Sequence, residues 1–219
     1  MSSRISQFKH IFFDFDGTLC ESEKDLKKAW LKVLADMKRS VPEFDKIFRV
    51  GPPIQEIVKN LLPDLSDSER EEVLKEFKNY YDYTSPYDET FIYPWMDKFL
   101  RHLRENGSSI YILTNKRRYP TMRLLKKFGW EELFSGVFTP DYQEGKVLKK
   151  SDLLGILLKE LNIDPAQAVM VGDTPADITV GKNNQTATAG VLWGYGTCEE
   201  LTASNCDILL SQKDFEQWL

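Results

Sequence analysis

Two carboxylates two positions apart, Asp14 and Asp16, close the apolar run Ile11-Phe12-Phe13. An aromatic and β-branched run of that length reads as a buried strand, and ending one in two charges is costly unless something compensates. A hard cation is the natural compensation, and Gly17 permits the tight exit that holds both carboxylates at a strand's carboxyl end. The plainer alternative is a strand-to-turn transition with aspartate in the turn. Three further stretches argue against it. Thr114-Asn115 follows Ile110-Tyr111-Ile112-Leu113, where a hydroxyl, an amide and a following helix start can cradle phosphate oxygens. Gly145-Lys146-Val147-Leu148-Lys149-Lys150-Ser151-Asp152 offers lysines, and Gly172-Asp173-Thr174-Pro175-Ala176-Asp177 offers two more carboxylates beside a helix start, with Thr174 as N-cap and Pro175 as first helical residue. Taken singly, a Thr-Asn pair is a weak signal and Gly-Asp is ordinary turn chemistry. In this order, each after a buried strand, they form one constellation. Carboxylates converging on one sheet edge repel unless a divalent metal neutralises them, and oxygen-only ligands favour Mg²⁺ over zinc.

The elements that must position these groups are legible from periodicity. Strand-like runs recur at Ile11–Phe15, Ile110–Leu113, Val137–Thr139, Ala168–Val171, Ala187–Leu192 and Asp207–Leu210, with amphipathic helical segments between most of them. That alternation predicts an α/β fold, a doubly wound, Rossmann-like parallel sheet covered on both faces. The gap between the first two strands is too long for one crossover. Residues 21–91 read as helices alone, an inserted all-helical cap subdomain, which leaves 1–20 and 92–219 as the core domain. The first cap helix starts near Ser22 and carries Leu26, Ala29, Trp30, Val33, Leu34 and Met37 at helical spacing; others are predicted at Pro53–Leu61 and Ser66–Tyr83. Tyr80, Tyr81, Tyr83, Tyr87 and Tyr93 gather where the insert returns, and are expected to pack a domain seam or, in the sharper reading, to line a substrate groove.

Composition narrows the classes of partner. The 219 residues, 42% hydrophobic and 29% charged, suffice for a full core. A net charge of −5 and a pI near 5.3 argue against nucleic acid or an anionic membrane as the main partner and point to a small substrate. Cys20, Cys198 and Cys206 match no zinc or disulfide framework and read as reduced thiols. The opening MSSRISQFKH carries no apolar export core and no run is long enough to span a bilayer, so the cytoplasm is the expected compartment. Oligomeric state is not legible.

These residues carry a resemblance. DxDGT at Asp14 to Thr18, Thr114-Asn115, a following lysine and GDxxxD at Gly172 to Asp177 resemble the haloacid dehalogenase superfamily of phosphatases, of the type with a helical cap after the first strand. Val50-Gly51-Pro52-Pro53, Tyr93-Pro94, Thr114-Asn115-Lys116 and Leu192-Trp193-Gly194-Tyr195-Gly196 are softer marks of its phosphoglycolate phosphatase-like branch. The resemblance implies a Mg²⁺-dependent phosphomonoester hydrolase, 2-phosphoglycolate its first candidate substrate, with a mobile cap that excludes water. It implies Asp14 as nucleophile, Asp16 as general acid and base, and Thr114, Asn115 and a lysine as phosphate ligands. Asp14, Asp173 and the Asp16 main-chain carbonyl are the implied metal ligands, with Asp177 behind them or orienting the lysine. Lys150, which leads into a helix, is preferred for that lysine; Lys146 and Lys149 stay open.

Departures from the family pattern bear on substrate. The usual Lys-Pro-x-Pro stretch lacks its prolines, Cys20-Glu21-Ser22 replaces the common Val-Asp-Ser, and Trp95 stands where glycine is common. Arg49 is a candidate contact to a substrate carboxylate, with a solvated cap residue as the plainer reading. A pyrophosphatase, a sugar-phosphate phosphatase or a phosphomutase would keep every residue named. From another class, a non-hydrolysing phospho-acceptor or signalling domain uses similar strand-end groups. The cap and Asp16 argue against it.

Overall fold

The computed structural model describes residues 4–219, and residues 1–3 of the amino-terminal stretch lie outside the described residues. Contacts divide the chain into two compact units, Met1–Glu21 with Ile92–Leu219, and Ser22–Phe91.

The first unit carries the strands β1 (His10–Phe13), the two-residue β2 (Cys20–Glu21), β4 (Ser109–Leu113), β5 (Gly136–Phe138), β6 (Ala168–Gly172), β7 (Ala187–Val191) and β8 (Ile208–Leu210), and the two-residue β3 (Phe91–Ile92) spans the boundary at which the chain returns to it. Six of them form one sheet in the order β5-β4-β1-β6-β7-β8, with parallel pairing throughout. Renumbered among themselves, these strands read 3-2-1-4-5-6, the doubly wound order in which the winding reverses between the first and fourth strands. Here that switch point lies between β1 and β6, and a ligand crevice is expected beyond their carboxyl ends.

Register explains one core layer. Phe12 stands level with Tyr111 and Met170, and Leu113 with Phe138. These side chains pack with Leu153, Leu154, Leu157 and Leu158, which lie at helical spacing on the helix Lys150–Glu160. The Phe12 and Tyr111 rings stack with centroids 4.7 Å apart. A carboxy-terminal aromatic group joins Trp95, Trp193 and Phe215, with Trp193 and Phe215 edge-on at 5.0 Å.

The second unit is helical, as its periodicity predicts. It holds α1 (Glu23–Asp36), α2 (Phe44–Ile47), α3 (Ile54–Leu61) and α4 (Asp67–Lys78). Trp30 of α1 stacks on Phe77 of α4 at 4.3 Å, and Phe77 on Tyr81 at 5.4 Å. The helix predicted over Ser66–Tyr83 is α-helical only to Lys78 and continues as a π-helix, Asn79–Thr84. One wider turn preserves the apolar spacing that suggested a single helix, so the pattern does not distinguish them. The tyrosines do not gather in one cluster. Tyr81 and Tyr87 are buried inside this unit, with the Tyr87 hydroxyl donating to the Tyr81 carbonyl at 2.6 Å; Tyr83 is exposed, and Tyr93 stacks on Trp95 in the other unit. Buried Asp25 ties the unit's first helix to its last residues, accepting from the Thr90 hydroxyl at 2.6 Å and the Glu89 amide at 3.0 Å.

All three cysteines are free thiols, and among the described residues no helix is long and apolar enough to cross a membrane.

Candidate active site

The strand ends at the switch point carry the charged groups. Asp14 follows β1, its amide donating to the Val171 carbonyl at 2.8 Å, so strand pairing delivers the carboxylate to the sheet edge. The helices of the first unit are α5 (Met96–Glu105), α6 (Arg118–Phe128), α7 (Lys150–Glu160), α8 (Pro175–Asn183) and α9 (Cys198–Ala203). Lys150, the first residue of α7, reaches Asp14 Oδ1 at 2.9 Å and Asp177 Oδ1 at 2.6 Å, with all three side chains buried. Lys146 and Lys149 are exposed. The structure therefore brings Lys150, of the three candidate lysines, to the carboxylates.

Asp177 is held at its other oxygen by the Thr174 amide, at 3.1 Å, and the Thr174 hydroxyl, at 2.8 Å. Those bonds cap α8 at the predicted N-cap while aiming the carboxylate inward. Gly172 makes the approach possible, because a Cβ there would collide with Asp177.

Asp173 sits in a made-to-measure cradle. Its oxygens accept from the Thr18 hydroxyl at 3.1 Å and the Tyr195 amide at 2.8 Å. Gly17 adopts φ +80°, and a side chain there would strike Asp173 and the Tyr195 ring. The Trp193 indole donates to the Thr18 carbonyl at 3.1 Å, and the Tyr195 hydroxyl to Glu21 Oε1 at 3.3 Å. The segment Trp193 to Gly196 thus binds the turn after β1 to the turn after β6.

Asp16 stands apart from that cluster. Both of its oxygens bridge to Lys116 Nζ, at 3.0 and 3.1 Å, and the pair is buried. Of the residues expected to hold metal, Asp14 and Asp173 meet through their carboxylates, while Asp16 keeps only its main-chain carbonyl for such a role. Asp177 joins instead: carboxylate oxygens of Asp14, Asp173 and Asp177 lie within 4.8 Å of one another. Thr114 follows β4, its amide donating to the Phe138 carbonyl at 3.1 Å, and its hydroxyl accepts from the Lys116 amide at 3.2 Å. Asn115 lies between them, next along the same loop.

Three buried carboxylates around one ammonium leave an excess of negative charge. Burial, against the pull of Lys150 and reinforced by Asp177, pushes the Asp14 pKa up to about 6. Burial, then Asp177 and Asp14, raises Asp173 well above the carboxylate range, although Tyr195 and Thr18 bond its anion. For Lys150, burial disfavours the ammonium, but Asp14 and Asp177 outweigh it and raise the pKa. Such a cluster fits a bound divalent cation, which would supply the missing positive charge to an all-oxygen donor set.

The sequence pattern misses three contributors. Thr18 is part of DxDGT yet its bond to Asp173 is not readable from spacing, and Tyr195 acts through its amide, which any residue could supply. Lys116 is visible only as a member of Thr-Asn-Lys. Arg49, the candidate cap contact, bonds the carbonyls of Phe48, at 2.7 Å, and Asp45, at 3.4 Å.

Known proteins resemble this chain over most of its length. The phosphoglycolate phosphatase of Psychrobacter arcticus is 32% identical over 203 residues, covering 89% of this chain and 88% of that protein. The phosphoglycolate phosphatase of Aquifex aeolicus is 31% identical over 192 residues, covering 84% and 85%. In fold, a haloacid dehalogenase-like family hydrolase from Streptococcus pneumoniae superposes with a TM-score of 0.82 at 22% identity, covering 97% of each chain. The model of haloacid dehalogenase-like hydrolases matches residues 8–184, and the chain belongs to that family.

Proposed function

We propose that this protein is a Mg²⁺-dependent phosphatase that hydrolyses a small phosphomonoester, 2-phosphoglycolate, through a phosphorylated aspartate. The observation that carries the reading is the Asp14 carboxylate held 2.9 Å from Lys150 beside Asp173 and Asp177, a nucleophile embedded in charge compensation for a phosphoryl group. Similarity to phosphoglycolate phosphatases across most of the chain supports the substrate.

Asp14, Asp173 and the main-chain carbonyl of Asp16 would hold Mg²⁺, which supplies charge neutralisation for the meeting of anionic nucleophile and anionic substrate. Asp14 attacks phosphorus; the bond from phosphorus to the ester oxygen breaks, and Asp16 gives that oxygen its proton, releasing glycolate. Asp16 then takes a proton from a water molecule, whose oxygen attacks phosphorus, and phosphate leaves as Asp14 is regenerated. Lys150 and Thr114, with Asn115 beside it, bind the non-bridging oxygens throughout, and Lys150 stays paired with Asp177.

A panel of phosphorylated metabolites assayed with and without Mg²⁺ tests this. Turnover that requires Mg²⁺, with 2-phosphoglycolate among the better substrates, is the expected result. Turnover of other phosphomonoesters alone would remove the substrate and keep the reaction; stoichiometric phosphorylation without turnover would favour a phospho-acceptor domain instead.

A further inference from the structure

Lys116 chelates the Asp16 carboxylate through its ammonium. Its ammonium sits 3.0 and 3.1 Å from the two oxygens of Asp16, and its side chain is 4% exposed against 12% for Asp16. A chelated carboxylate cannot rotate freely, so the bridge fixes both the rotamer of Asp16 and the plane of its oxygens. The same residue also reaches Thr114, whose hydroxyl oxygen accepts the Lys116 amide at 3.2 Å. With its oxygen so engaged, the Thr114 hydroxyl has its own hydrogen to direct elsewhere. Each reacting carboxylate has its own ammonium: Lys150 for Asp14 and Lys116 for Asp16. The Lys116 bridge draws the Asp16 side chain to a different cation from the one serving the Asp14, Asp173 and Asp177 cluster.

We infer that Lys116 is a positioning residue for Asp16: it aims the proton-carrying carboxylate at the leaving-group oxygen, and so sets how well the protein cleaves esters whose alcohols leave poorly. This rests on the phosphatase reading above. Proton delivery matters most when the departing oxygen is strongly basic, as in an alkyl ester such as 2-phosphoglycolate. It matters least when the oxygen leaves readily as an anion, as from 4-nitrophenyl phosphate. A residue that merely supports the fold, or one that binds the phosphoryl group, would affect both substrates alike.

The test compares the first-turnover rate of alcohol release from these two substrates at saturating Mg²⁺, before the hydrolysis step they share, in the intact protein and in Lys116→Met, Lys116→Arg, Asp16→Asn and Asp16→Asn/Lys116→Met. Loss of proton transfer costs about 10²–10⁴-fold, so Lys116→Met is expected to lose at least about tenfold more of that rate on 2-phosphoglycolate than on 4-nitrophenyl phosphate. Lys116→Arg, which keeps the charge and shifts its position, should show the same selectivity at smaller size. The double variant should be no slower on 2-phosphoglycolate than Asp16→Asn alone, because the lysine acts through the carboxylate. Should Lys116→Met fail to fold with Asp16 left unpaired, the arginine and double variants carry the test. Equal losses on both substrates, a rise confined to KM, or additive losses in the double variant would overturn the inference and leave the phosphatase reading standing. No turnover of either ester by the intact protein would overturn both.

Discussion

The strand-end site and the helical unit both bury charge, and they use it differently. At the switch point, Asp14, Asp173 and Asp177 crowd together within 4.8 Å with Lys150 as the ammonium among them, an arrangement that disfavours its own anions. In the helical unit, buried Asp25 is matched to donors, the Thr90 hydroxyl and the Glu89 amide. Frustrated charge marks a place where something must bind; satisfied charge marks a place that must only stay folded.

Substitutions can break that contrast, and the largest effect is expected at Asp14, the proposed nucleophile. Asp14→Asn should abolish turnover of every phosphomonoester, measured by phosphate release. The same variant should make the metal-free protein more stable, because it removes a buried like charge. With the Asp14 pKa at about 6, roughly two units above its ordinary value, the gain is about 1–3 kcal/mol at neutral pH. For a chain of this size that is a rise of about 2–4 °C in Tm per kcal/mol, readable by thermal unfolding in a chelator. Added Mg²⁺ should raise the Tm of the unsubstituted protein and leave that of Asp14→Asn much less changed. Lys150→Met comes next, with an expected loss of about 10²–10³ in kcat from removing one charge-stabilising donor.

Asp25→Ala sharpens the comparison from the other side. Removing the carboxylate that buried Thr90 and half-buried Glu89 bond should cost about 1–3 kcal/mol, seen as a lower Tm. Activity on 4-nitrophenyl phosphate, measured well below that Tm, should change by less than about threefold. The smallest effect is expected for the exposed lysines: Lys146→Ala and Lys149→Ala should keep kcat within about twofold, which separates them from Lys150.

The fold was legible because buried parallel strands read as apolar runs, and six such runs became the six strands of the large sheet. Their boundaries moved by one or two residues, as at Ile11–Phe15, where the strand ends at Phe13 and Asp14 still pairs through its amide. The π-helix at Asn79–Thr84 was not legible, since its apolar positions mimic a continuing α-helix. In the site, the carboxylates stand out because charge at a strand end has few structural explanations. Lys116 does not, because a lysine between a strand and a helix is ordinary, and only the folded chain brings it 100 positions back to Asp16. Glu21 has the same character: its contact with Tyr195 joins the short β2 to a segment far away in sequence. The leaving-group preference is the least legible part, because no residue type or spacing in the sequence names the alcohol.

One measurement reaches the proposed covalent role of Asp14 directly. The protein is mixed with Mg²⁺ and 2-phosphoglycolate, quenched in acid within one turnover, digested and weighed by mass spectrometry. One phosphoryl group is expected on the peptide containing Asp14, absent from Asp14→Asn and lost as turnover completes. Full turnover with that peptide unmodified at every quench time would contradict it.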